Sequence, residues 1–166
     1  MCSSDLYWTA YQKPALMLSI LREAVLGREE FDRAFREYVR RWKGKHPQPA
    51  DFFRTMSNLT GRDLDWFWRN WIYTTARLDQ AVDSVRAGTD SAFLYLSNRA
   101  QMVLPVTLEL KYADGSTETR SLPVEMWDLG SRFTYRVATT KRLASVVIDP
   151  RRVYPDIARD NNSWKR

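Results

Sequence analysis

The sequence is short of the side chains that hold metals. It has one histidine, His46, and one cysteine, Cys2. A single histidine rules out the two-histidine HExxH motif within this chain. A single cysteine allows no intrachain disulfide and no cysteine-based metal site. Glycine is scarce too, and the six present are scattered as stops and turns, so no glycine-rich phosphate loop is formed. No apolar run approaches the roughly 20 residues a membrane span needs. The opening MCSSDLYWTA has neither the basic start nor the apolar stretch of a signal peptide. A Ser-His-Asp triad would have to use His46, which lies between Lys45 and Pro47 in a linker, and nothing supplies a nucleophile elbow. The neighbouring carboxylates Asp63 and Asp65, and Asp156 and Asp160, read as caps and turn formers. From the residues alone, the chain carries no complete active site.

What is present is aromatic mass and positive charge. Seven Trp, eight Tyr and seven Phe supply enough ring surface for a real core. The balance of 44% hydrophobic and 28% charged residues fits a folded protein. The net charge is +6, and its densest cluster is RRWKGKH, from Arg40 to His46. With Trp42 interleaved it has the look of a nucleic-acid patch. It reads better as a helix C-terminus, where the dipole favours cations and Gly44 ends the helix. No nucleic-acid partner is expected on this basis.

The chain changes character near Arg77. Before it, apolar residues recur at helical spacing. Leu16, Met17, Ile20, Leu21 and Val25 form one stripe that stops at Gly27. Phe31, Ala34, Phe35, Tyr38, Val39 and Trp42 form a second. HPQPADFF forces an extended link. A third helix is expected over 51–60, and a fourth from Asp63, a good N-cap, carrying Leu64, Phe67, Trp68, Trp71 and Ile72. The aromatic excess of DWFWRNWIY suggests that the helical layer packs on further protein. After Arg77, AFLYLSN, VTLELKYADGSTETRSLPVEMW, RFTYRVAT and ASVVIDP are β-branched or aromatic runs bounded by turn residues. ADGS is a hairpin signal. Val106, Leu108, Leu110 and Tyr112 alternate with Thr107, Glu109 and Lys111, giving one buried and one wet face. About six short strands point to an antiparallel sandwich.

YWTAYQKPALML, from Tyr7 to Leu18, poses its own problem. Pro14 suits the first position of a helix. Tyr7 and Tyr11, four residues apart, share one side of a turn, and the residues alone allow either packing or a phenol aimed at something. Resemblance adds to this. The Tyr-x-Lys-Pro helix start, LREAVLG, the aromatic helix, KHPQPADFF and TGRDLDWFWRNW occur in an order similar to the back half of the catalytic domain of the aminopeptidase N family. These are zinc-dependent gluzincin peptidases, related also to leukotriene hydrolase. LPVEMW and VVIDPRRVYPDIARDNNSW resemble the β-sandwich that follows in bacterial members.

The resemblance implies an α+β architecture: residues 7–76 as the helical second half of a thermolysin-like catalytic domain, and residues 77–166 as an antiparallel β-sandwich. It implies that Tyr11 is the catalytic tyrosine, donating its phenolic hydrogen bond to the oxyanion of the tetrahedral intermediate, with Tyr7 a packing neighbour. It implies zinc, a peptide substrate and an upstream catalytic segment in the parent enzyme. The HExxH ligands, the third glutamate ligand and the segment that reads the substrate amino terminus are not in this sequence, so neither bound zinc nor peptidase activity is expected of the chain alone. MCSSDL does not resemble the family, which suggests a truncated gene or a fragment. Family members of this kind are often exported or envelope-associated, and the sequence leaves the compartment open. The rival expectation is a non-enzymatic binding module in which the helices cap a sandwich and Tyr11 is structural.

Overall fold

The computed structural model describes residues 7–166, so Cys2 and the rest of MCSSDL lie outside the described residues. The chain divides into two compact units, Met1–Thr74 and Thr75–Arg166.

The first unit is helical. Helix α1, Lys13–Ile20, is flanked by wide π turns at Trp8–Gln12 and Leu21–Val25. Pro14 is therefore not the first helical residue, and the helix begins before it. A proline inside a helix removes one i→i−4 bond and crowds the carbonyl of residue i−4. The turn before it relaxes to i→i−5 bonding, with the Lys13 N–H donating to the Trp8 carbonyl. Helix α2, Arg28–Trp42, ends at Lys43, and Gly44 takes the positive φ of 75° beyond it. Helix α3, Pro49–Thr60, starts two residues before the expected Asp51, because Asp51 caps from inside by accepting the Gln48 N–H at 2.8 Å. Helix α4, Asp65–Trp68, runs into a π turn, Arg69–Tyr73. Asp63 stabilises its entry by accepting the Asp65 N–H at 2.9 Å.

Rings hold this unit together. Phe31 stacks on Phe35, Tyr38 meets Phe52 edge-on at 5.0 Å, and Phe53 stacks on Trp68 at 4.6 Å. Phe67, Trp68 and Trp71 are buried. Much of the aromatic excess in DWFWRNWIY is thus consumed within the unit, each buried ring contributing both apolar area and favourable ring geometry.

The second unit is antiparallel β. One sheet has the order β1-β2-β5, with β1 Gln80–Ala87, β2 Ser91–Asn98 and β5 Arg132–Ala138. The other has the order β4-β3-β6-β7, with β3 Val106–Tyr112, β4 Thr117–Leu122, β6 Leu143–Ile148 and β7 Ser163–Lys165. Leu94, Leu96 and Val137 from the first sheet share one core with Leu108, Leu110, Val146 and Ile148 from the second. The alternation read in β3 holds: Val106, Leu108, Leu110 and Tyr112 are buried while Lys111 is exposed. The ADGS hairpin forms, with Gly115 at φ 84° and the Asp114 carboxylate accepting the Ser116 N–H.

Buried polar side chains fix the loops. Gln80 Nε2 and Trp127 Nε1 both donate to the Leu104 carbonyl, at 2.9 and 3.1 Å, and Asn98 Nδ2 donates to Met102 at 2.8 Å. Each such bond removes the penalty of burying an unpaired polar group.

Candidate functional site

Tyr11 lies in the π turn ahead of Pro14 and is 66% exposed. Its ring is 6.0 Å from that of Tyr7 at a tilt of 30°, so the two tyrosines do share one side of the helix. Tyr7 in turn meets Trp8 edge-on at 6.0 Å. The Tyr7 hydroxyl accepts a hydrogen bond from Gln12 Nε2 at 2.7 Å. Lys13 Nζ reaches the Thr74 carbonyl at 3.4 Å, which brings the start of this unit to its end. Both ends carry exposed apolar side chains: Tyr7, Trp8 and Tyr11 at one, Ile72 and Tyr73 at the other.

The turn that presents Tyr11 is anchored from the opposite side of α1. Met17, Ile20 and Leu21 are buried. Arg22 donates two bonds to Asp32, at 2.7 and 2.8 Å, and Arg28 pairs with Glu23 at 2.8 Å. The Arg22 bonds hold the Asp32 carboxyl below its ordinary range, and Arg28 does the same for Glu23. These pairs fix how α1 leaves for α2.

The other sequence candidates fall into structural roles. His46 is exposed in the link between α2 and α3. Arg40 and Arg41 of the basic cluster both bond to Glu37, at 2.7 Å each, and Lys45 lies 5.9 Å from the Trp42 ring. Asp156 accepts the N–H groups of Gln80 and Ala158. Among the described residues, no group of three or more His, Cys, Asp or Glu is placed to hold a metal.

One organising residue was not read from the sequence. Asp149, 4% exposed, accepts the N–H groups of Val153 and Tyr154 and pairs with Arg159 at 2.9 Å. Its φ of 47° starts the turn. Burial, and then the Asp149 charge, push the Tyr154 phenol above its ordinary range. The Asp-Pro pair after a strand signalled a turn, but not a buried carboxylate collecting the loop behind it.

Residues 4–71 match the Peptidase family M1 domain. That stretch is less than half of the chain, and it is what is similar to the family. The match ends within the last π turn and includes Tyr11, Pro14 and the aromatic helices. Over a longer stretch, the chain is similar in structure to aminopeptidase A of Legionella pneumophila in complex with aspartic acid. That match has a TM-score of 0.67 and 17% identity, and covers 89% of this chain. At that identity the likeness speaks to the fold alone: helices followed by antiparallel sheets. The chain spans 17% of the length of that aminopeptidase. No curated protein matches the sequence significantly.

Proposed function

We propose that this chain is the C-terminal portion of a zinc-dependent aminopeptidase of family M1, with residues 7–76 the second half of the thermolysin-like catalytic domain and residues 77–166 the β-sandwich behind it. The reading is supported chiefly by the family M1 match over residues 4–71. In it, Tyr11 is a transition-state hydrogen-bond donor. A neutral phenol aimed where negative charge develops stabilises the oxyanion more than the carbonyl it comes from. Its exposure on a fixed turn is what such a donor requires. The zinc and the peptide's amino terminus belong, in this reading, to residues of the parent outside this sequence, and no catalytic step is assigned to this chain by itself.

Two measurements test the reading. Elemental analysis of the purified chain, paired with an amino-acyl chromogenic assay, is expected to find zinc below stoichiometry and no turnover; activity above background overturns it. In a longer polypeptide that contains HExxH upstream, Tyr11→Phe is expected to lower kcat by roughly 100- to 1000-fold, with KM little changed. A variant with wild-type kcat returns Tyr11 to a packing role.

A further inference from the structure

Among the described residues, β5 pairs with β2 alone, which leaves its other side an open edge. Two bonds that flank the ladder set its phase: the Asn98 N–H donates to the Ser131 carbonyl, and the Thr139 N–H to the Asp90 carbonyl. In an antiparallel ladder, directly opposed residues alternate between bonded and non-bonded pairs. Counting inward from both ends, Phe133, Tyr135 and Val137 bond to β2 opposite Leu96, Leu94 and Ala92. The N–H and C=O groups of Arg132, Thr134 and Arg136 therefore point to the open edge.

Side chains follow the same parity. Phe133 and Tyr135 pack against the core and Val137 is part of it, whereas Arg132, Thr134 and Arg136 are exposed on the outer face. Three residues thus present both a free backbone and an outward side chain, and two of the three are arginine. Arg136 has a carboxylate near it in Asp90, but at 3.6 Å between two exposed side chains. Across the sheet, Arg86 stands in the same row, opposite Phe93, which is itself opposite Arg136. The edge is cationic on its outer face.

We propose that the open edge of β5 docks an extended acidic segment of another polypeptide, which adds to the β1-β2-β5 sheet as a further antiparallel strand. The incoming residues opposite Arg132, Thr134 and Arg136 form bonded pairs and project to the same outer face. Acidic residues four apart in the segment meet both arginines, and a small or β-branched residue between them faces Thr134. A second copy of this chain is a poor occupant: antiparallel pairing of β5 with itself about Thr134 sets Arg132 against Arg136, like charge against like. The opposite function for the same arginines is to keep the edge unpaired.

The experiment is fluorescence anisotropy of the full chain with fluorescein-labelled acetyl-TVEVTVEVT and its counterpart acetyl-TVKVTVKVT. The acidic peptide is expected to bind about tenfold tighter. Arg132→Glu with Arg136→Glu reverses that preference. Thr134→Pro removes an edge N–H without removing a bond to β2, and is expected to abolish binding while the thermal midpoint stays close to wild type. In the wild-type chain, the bound peptide slows hydrogen exchange at the amides of Arg132, Thr134 and Arg136, a readout that needs no variant. Equal binding of both peptides, binding unchanged by the charge reversal, protection confined to other amides, or no binding at all overturns the proposal.

Discussion

Glu37 shows how much one residue can organise at a helix end. It accepts from Arg40 and from Arg41, three and four residues on, and these bonds, Arg40 first, hold its carboxyl down to about 2. The folded value lies below the ordinary 4.5, so its contribution is complete above about pH 4.5 and is lost as pH falls towards 2. Glu37→Gln is therefore expected to be destabilised near neutral pH and to lose part of the wild-type decline in stability over that acid range. Urea midpoints measured across it check this, and parallel wild-type and variant curves refute it. The same residues explain the basic cluster RRWKGKH, two of whose cations are occupied within one helix. At Gly115 the positive φ was legible from Asp-Gly alone, since turn chemistry is local. At Asp149 it was not, because a buried carboxylate is defined by a loop that folds back over it.

At the scale of elements, the strongly periodic ones were legible. α2 and β3 have their apolar residues at 3.6 and 2.0 spacing because each buries one face. β1 escaped notice because its register shifts between Val82 and Ser84, so the alternation breaks halfway. β7 has three residues and no periodicity to read. The π turn Trp8–Gln12 ahead of α1 was missed because proline was taken to open the helix, whereas helical backbone already precedes it. β3 lies between β4 and β6 and carries Leu110, fully buried, into the shared core. Leu110→Ala removes contacts on a strand paired on both sides and leaves a cavity. It is expected to cost about 2–5 kcal/mol, read as a lower urea midpoint with the m-value unchanged. A loss well under 1 kcal/mol would mean the site collapses freely.

At the scale of the whole molecule, each unit has its own buried residues: the aromatic cluster in one, the two-sheet core in the other. A segment with its own core can fold alone. Residues 75–166, expressed separately, are expected to melt cooperatively and to keep dispersed methyl signals in NMR spectra. Broad, non-cooperative melting would show that the sheets need the helical unit. Both units leave large apolar side chains exposed: Tyr7, Trp8, Tyr11, Ile72 and Tyr73 in the helical unit, Leu129 and Ile157 in the other.

The sequence by itself determined the order of helices then strands, the buried faces of α2 and β3, the hairpin at Asp114–Gly115 and the family resemblance, because propensity, periodicity and turn chemistry act between near neighbours. Tertiary structure alone decided that Tyr11 stands exposed on a widened turn, that the rings of α2, α3 and α4 close on one another, and that Asp149 collects its loop. It also decided that β5 is an open edge with two arginines on its outer side. The ring cluster and the β5 edge depend on which residues distant in the chain meet, and such pairings leave no local trace; the turns at Tyr11 and Asp149 are local in their bonds, and only burial and exposure in the fold set their surroundings.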